Sequence, residues 1–241
     1  MISVVIPTLN EEGVILKAIE ALRQERVPCE ILVVDGGSRD ATASLVRGLG
    51  PPVRLVEQSD HGLRGRGAAY NQAACLARGD ALVFLHADTR LPDGGLGLIE
   101  SALENPTVIG GGFLPAFDRT GDGRARLALG LVERGWRYRS RTFRWFAGDQ
   151  APFIRRAAFF ACGGYPAVRL AEDWAFAARL RSIGPVVVID RPVGISPRRH
   201  LANGVLKTLF VTGSVEVMYR AGIESAFLAR WYRHWLPRDR D

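Results

Sequence analysis

Three short apolar runs stop abruptly at polar clusters. They are Ser3-Val-Val-Ile-Pro-Thr-Leu-Asn-Glu-Glu12, Ile31-Leu-Val-Val-Asp-Gly-Gly-Ser-Arg-Asp40 and Ala81-Leu-Val-Phe-Leu-His-Ala-Asp-Thr89. Continuous apolar runs of this length read as strands buried on both faces of a parallel sheet. Ligands of open α/β sheets bind in the crevice at the carboxyl ends of the strands. An Asp or Asn at each of three such ends therefore points to one shared site.

The rest of the chain is read from its periodicity. Residues 3–7, 30–34, 53–56 and 81–85 are expected as strands. Thr8 and Glu11 stand at capping-box spacing ahead of a helical stripe of Val14, Ile15, Ala18, Ile19 and Leu22. Ser38 or Asp40 caps a second helix, Arg64-Gly-Arg-Gly67 opens a third, and Pro92 starts a fourth that ends near Asn105-Pro106. This alternation implies right-handed crossovers in a mostly parallel sheet flanked by helices, an α/β, Rossmann-like single domain. From Phe113 to Ala147 the alternation breaks, and Leu127, Leu131 and Arg134 to Tyr138 follow helical spacing. A strand over 151–154, a helix over 170–182 and an apolar run over 186–189 come next. Residues 1–200 are read as one domain. Residues 201–241 are read as a helical extension, weakened at Gly204, Gly213 and Gly222, that packs on the domain or on a partner subunit.

A net charge of +7 and a pI near 9.9 suit an anionic partner: a nucleotide diphosphate, a nucleic acid or an acidic membrane surface. No nucleic-acid module is recognisable, so no nucleic-acid partner is expected. Three scattered cysteines, Cys29, Cys75 and Cys162, read as reduced and mostly buried, which fits a cytoplasmic protein. No apolar stretch reaches 18 residues, so no membrane span is expected, and contact at the inner membrane face stays open. A dinucleotide-binding dehydrogenase is disfavoured, because no Gly-x-Gly-x-x-Gly follows the first strand.

Several residues could carry chemistry. Asp35 reads either as a turn carboxylate satisfied by Gly36 or Gly37, or as an acceptor for the NH and OH groups of a base and ribose. Alternation places His86 and Asp88 on one side of an extended segment, where both can face one diphosphate. Asp88 with phosphates and water suffices for Mg²⁺ or Mn²⁺. The role of His86 stays open between ligand, phosphate donor and backbone-bonded strand end. Arg64 and Arg66 at a helix start can direct guanidinium and amide donors at phosphate. Arg134 to Phe146 interleaves arginines with Trp136, Tyr138, Phe143, Trp145 and Phe146, either as a core-facing helix or as a lid or membrane contact. Phe227, Leu228, Trp231 and Trp235 share a helical face beside Arg230, Arg233 and Arg238, and that face is expected to be buried.

In order and spacing, these clusters resemble the family 2 glycosyltransferases over roughly residues 1–200. The resemblance implies a glycosyltransferase A fold that binds a nucleotide-diphosphate sugar. It implies donor contacts from Pro7, Thr8, Asn10, Glu11, Asp35, Arg66, Asn71, His86 and Asp88, and from Arg198 and Arg199 near the leaving diphosphate. His86-Ala-Asp88 stands where the family has a metal-binding Asp-x-Asp, which implies Mg²⁺ or Mn²⁺ on Asp88 and His86. Glu172-Asp173 after Gly163-Gly-Tyr-Pro166 resembles the family's Glu-Asp motif, implying Asp173 as catalytic base with Glu172 beside it. Asp149, Gln150 and Trp174 then fall on the acceptor side. His-Ala-Asp-Thr and Gly-Asp-Gln are similar to a small subset named as arsenosugar-biosynthesis glycosyltransferases. A nucleotidyltransferase, or an idle nucleotide-sugar-binding or membrane-surface partner, remains the alternative.

Overall fold

The computed structural model describes residues 1–59, 65–118 and 123–236; Arg64 and Arg238 lie outside the described residues. Four runs form β1 (Ile2–Thr8), β2 (Cys29–Asp35), β3 (Val53–Glu57) and β4 (Ala81–Phe84), all mutually parallel in the order β3-β2-β1-β4. The sheet continues through β7 (Phe153–Arg155), β6 (Gly110–Phe117), β8 (Val186–Ile195) and β5 (Thr89–Arg90). Only β7 and β5 run antiparallel to their neighbours. The sheet is thus mostly parallel, as expected.

Alternating side chains feed two cores. Val4, Ile6, Ile31, Val33 and Val83 point to one face, and Val5, Leu32, Val34, Leu82 and Phe84 to the other. Three helices cover the first face: α1 (Ile15–Arg23), α4 (Gly95–Glu104) and α5 (Gly123–Phe143), through Ile15, Ile19, Leu96, Ile99, Leu129 and Val132. The shorter α2 (Thr42–Arg47) adds Val46. The second face meets α3 (Arg66–Leu76), α6 (Arg156–Ala161) and α7 (Glu172–Ile183). There Tyr165 stacks on Phe176 at 4.0 Å, and Tyr70, Phe84 and Phe159 close around them. The chain ends in α8 (Arg198–Asn203), α9 (Val205–Arg220) and α10 (Ser225–Trp235), broken at Gly204 and Gly222 with φ of 82° and 79°.

Several local expectations need correction. The Thr8/Glu11 capping box does not form: α1 starts at Ile15, and the Glu11 carbonyl accepts from Val14 and Ile15. Pro92 only precedes its helix, which begins at Gly95 behind a left-handed Gly94. Leu127 and Leu131 are 70% and 66% exposed, because α5 turns Leu129 and Val132 inward instead. The α10 face divides. Leu228 is buried and the Trp231 indole reaches Ser214 at 3.4 Å, whereas Phe227 and Trp235 are exposed. Cys75 is exposed, not buried.

Candidate functional site

The register Thr8↔Asp35 aligns the ends of β1 and β2, and β4 ends beside them, with the Leu85 amide bonded to the Val5 carbonyl. The loops after β1 and β2 are sewn together. The Asn10 amide donates to Ser38 Oγ at 3.0 Å, and Asn10 Oδ1 accepts from the Arg39 amide at 2.9 Å. Glu11 donates its amide to Thr42 Oγ1, and Glu12 donates its own to Asp40. Asp40 also accepts from the Thr42 amide at the head of α2, but the cap position itself is Ala41, not Ser38 or Asp40, and carries no side-chain bond. Asn10 takes φ 54°, a left-handed conformation that such knitting must hold in place.

Asp35 is buried and spends its carboxylate within its own turn, on the Gly37 and Ser38 amides at 3.1 and 3.0 Å and on the Ser38 hydroxyl. The amide donors are those of residues 37 and 38, and not of Gly36. The Thr8 hydroxyl bonds the Val34 carbonyl, and Pro7 sits half-buried opposite Val34.

A second cluster forms where β4, the turn at Gly148–Gln150, α3 and α7 meet. Asp173 Oδ2 accepts from the Gly148 amide at 2.9 Å, and Oδ1 accepts from the Trp174 amide. A Cβ on Gly148 would lie 3.3 Å from His86 Nε2 and 3.4 Å from Asp173 Oδ2, so this glycine lets the two groups converge. Glu172 grips Arg66 through Nε and Nη2 at 2.9 and 2.8 Å, and Arg66 Nη1 lies 3.5 Å from His86 Nε2. Both bonds end on one carboxylate oxygen, Oε1, a charge-assisted contact that anchors the guanidinium.

Electrostatics differ from group to group. Burial, then the charges of Arg66 and Arg199, hold the His86 ring well below its ordinary value, so it is neutral. Burial, then Glu172, raises the Asp173 carboxyl. Burial and Asp173 push Asp149 up to about 6. Residues 86–89 form a turn, closed by the Thr89 amide on the His86 carbonyl at 3.1 Å, and not the extended segment expected; there Asp88 pairs with Arg198 at 2.9 Å, which joins the turn between β4 and β5 to the start of α8. The next residue, Arg199, lies over the Tyr232 ring at 6.0 Å.

Two expected contacts turn elsewhere. Asn71 spends both ends of its amide on the Tyr165 backbone at 2.9 Å, tying α3 to the Gly-Gly-Tyr-Pro loop. Gln150, 1% exposed, bonds the Phe113 carbonyl, Ser140 Oγ and the Ala147 amide. Both act as internal braces because each meets partners for all its polar ends. Trp174 lies edge-on to Tyr219 of α9 at 5.8 Å. Two positions escaped the sequence reading. Ala151 and Ala171 adopt left-handed φ of 47° and 63°, the first directly after Gln150 and the second directly before Glu172. Nothing in the identity of an alanine signals such a conformation.

Comparison with known proteins places this geometry. An uncharacterized protein of Mycobacterium tuberculosis is 29% identical over 221 residues, covering 84% of this chain and 68% of that protein. A 4,4'-diaponeurosporenoate glycosyltransferase of Staphylococcus haemolyticus is 35% identical over 92 residues; the match spans 37% of this chain and only 24% of that protein. Among solved structures, the mannosyltransferase PcManGT from Pyrobaculum calidifontis, in complex with GDP-Man and Mn²⁺, superposes with a TM-score of 0.67 at 22% identity. That superposition covers 97% of this chain and 69% of the other. TarS 1-349 of S. aureus in complex with UDP-GlcNAc gives 0.66 at 18% identity, covering 98% and 71%. At these identities the structural likeness establishes the fold, a glycosyltransferase A fold. The sequence model of glycosyl transferase family 2 matches residues 3–163, from the start of β1 to the Gly-Gly turn, and the chain belongs to that family.

Proposed function

We propose that this protein transfers a sugar from a nucleotide-diphosphate sugar to an acceptor, by in-line displacement at the sugar C1 with inversion. The observation that carries this reading is the convergence of Asp173, Gly148 and His86, with Asp88 two residues further on, at the carboxyl end of the sheet. Asp173 takes the acceptor proton as the acceptor oxygen bonds to C1. The C1–oxygen bond to the diphosphate breaks, and the leaving group departs with its electron pair. The Gly148 amide fixes one oxygen of Asp173, and burial of the carboxyl brings its basicity toward the working pH. Glu172 holds Arg66, whose guanidinium, with those of Arg198 and Arg199, suits the phosphates. The loops bearing Pro7, Thr8, Asn10, Glu11 and Asp35 are assigned to the nucleoside. The donors in the PcManGT and TarS complexes, GDP-Man and UDP-GlcNAc, support a hexose on a nucleoside diphosphate.

A divalent cation fits the residues present. Asp88 supplies a carboxylate, and neutral His86 supplies a nitrogen lone pair. The Arg198 guanidinium resting on Asp88 is a stand-in for a cation at that position. Among the described residues no three His, Cys, Asp or Glu groups converge, so phosphate and water oxygens would complete the shell. Mn²⁺ or Mg²⁺, when bound, would neutralise charge on the departing diphosphate. The PcManGT complex contains Mn²⁺.

No described helix is long and apolar enough to cross a membrane. Contact with a membrane surface, or pairing with a second copy, would draw on the exposed Leu206, Phe210 and Val217 of α9. The similarity to the arsenosugar subset adds the acceptors of that chemistry to the assay.

Calorimetry with UDP and GDP, with Mn²⁺ or with chelator, tests the donor and metal assignments together. The metal should raise affinity about tenfold or more, and Asp88→Ala should abolish that difference. Equal affinity in both buffers removes the metal. Turnover that releases pyrophosphate in place of a nucleoside diphosphate would identify a nucleotidyltransferase and overturn the proposal.

A further inference from the structure

A cavity of about 380 Å³ opens beside the candidate base, between α5, α7 and α9. Its walls are four rings, Phe143, Trp145, Trp174 and Tyr219, together with the guanidinium groups of Arg139 and Arg181. Trp174 follows Asp173 directly, and Trp145 lies three residues before Gly148, whose amide holds Asp173. The cavity therefore shares two backbone segments with the catalytic cluster. Its charged lining is three guanidinium groups, of Arg139, Arg181 and Arg220, against one carboxylate, Glu216. Trp145 Nε1 and Arg139 Nε lie beneath this wall as donors without a partner, closed off from solvent. Arg139 and Arg220 share a single carboxylate, Glu216. Arg181 bonds the Phe143 carbonyl at 3.0 Å and lies over Trp145 at 4.9 Å, but pairs with no carboxylate among the described residues.

An excess of guanidinium over carboxylate favours a ligand that brings oxygen lone pairs and a negative charge. Rings on several walls favour an apolar or flat body. We propose that this cavity holds the acceptor, and that the acceptor is an amphipathic anion: an apolar chain or ring bearing a carboxylate or phosphate. The anionic group meets Arg139, Arg181 and Arg220, and the body lies against Trp145, Trp174, Tyr219 and Phe143. That this ligand is the acceptor rests on the transferase reading above; the binding chemistry does not.

Octyl phosphate, kept below its micelle concentration, is the probe, with octanol and inorganic phosphate as its two halves. Calorimetry and the fluorescence of Trp145 and Trp174 report binding. Octyl phosphate should saturate the site and bind about tenfold or more tighter than either half. Arg181→Gln and Arg220→Gln each remove one guanidinium from an exposed position of the lining, the first with its bond to the Phe143 carbonyl and the second with its pair to Glu216. Each should weaken octyl phosphate several-fold and leave octanol unchanged. Equal affinity for octanol and octyl phosphate overturns the anionic part, and an equal response to inorganic phosphate overturns the apolar part. Phosphatidylcholine vesicles, with and without phosphatidylglycerol, form a separate arm. Binding to vesicles without binding of monomeric octyl phosphate would assign this face to a membrane surface and overturn the cavity. Titration of the wild type with UDP or GDP and Mn²⁺ reads the donor cleft independently. Its failure would remove the transferase reading while leaving the amphiphile result standing.

Discussion

Asp173 sits where its own charge is disfavoured, and that is the property a base needs. Burial and the neighbouring Glu172 raise its carboxyl above the usual range, while the Gly148 amide keeps one oxygen aimed. A protonated carboxyl cannot accept a proton, so kcat/KM should fall toward acid with an inflection above the ordinary carboxylate value of 3.8. A pH–rate profile reads that inflection. Asp173→Asn should lower kcat roughly 10²-fold or more while leaving donor affinity nearly unchanged. Glu172→Gln loosens the grip on Arg66, so its first effect should be weaker donor binding. Normal turnover in Asp173→Asn with loss in Glu172→Gln would move the base to Glu172. Asp149 makes a separate point through stability. Its pKa is 3.8 unperturbed and about 6 in the fold, so the fold holds this proton more tightly than the unfolded chain does. The resulting contribution is full below about pH 4 and is lost as pH rises through 6. Asp149→Asn should therefore raise Tm near pH 8, and the gain should vanish near pH 4; calorimetry at both pH values decides.

At the scale of elements, two backbone features hold the site in shape. The strand β6 enters the sheet on Gly110, Gly111 and Gly112, where neighbouring strands approach too closely for side chains. A Cβ on Gly111 would collide with the Val187 carbonyl oxygen on β8. Gly111→Ala should cost roughly 1–3 kcal/mol, seen as a lower midpoint in urea unfolding at an unchanged slope. No strand over 110–117 is expected from the sequence, because three successive glycines carry no apolar alternation. The second feature is Ala171, left-handed immediately before the helix that presents Glu172 and Asp173. Glycine adopts that conformation without strain. Ala171→Gly should leave Tm equal or higher, whereas Ala171→Val should lower it. The helix α5 teaches a related lesson. Helical spacing around Leu127 and Leu131 marks the element α5 and leaves its face open: Leu129, Val132 and Trp136 occupy the inner side. Periodicity defines a stripe; neighbouring elements decide which stripe is covered.

For the whole molecule, the sheet sets one side apart for chemistry. The parallel strands end together, and helices from distant parts of the chain deliver their first turns to that edge. Arg66, Glu172 and Arg198 each sit at the start of a helix, at α3, α7 and α8. The C-terminal helices pack on one another beside that edge. Leu228 and Leu236 are buried there, and Trp231 reaches α9. Removing residues 223–241 should therefore expose apolar surface, lower Tm and promote association, as read by calorimetry and sedimentation velocity. A truncated chain of unchanged Tm and mass would show that α10 contributes nothing to the fold.

Local order was legible in the sequence. The apolar runs at 3–7, 30–34 and 81–85 need burial on both faces, which only a sheet between helices provides, and their polar ends mark the crevice. Partnerships across the chain were not legible. Arg66 and Glu172 are 106 residues apart, and Asp88 and Arg198 are 110 apart; no spacing rule links them. Asn71 and Gln150 carry side chains that suit a ligand equally well, yet each finds all its partners inside the protein. Hydrogen-bonding capacity is a property of the residue and visible in its name. Whether that capacity is already satisfied depends on which groups packing brings within about 3 Å, and only the tertiary structure decides that.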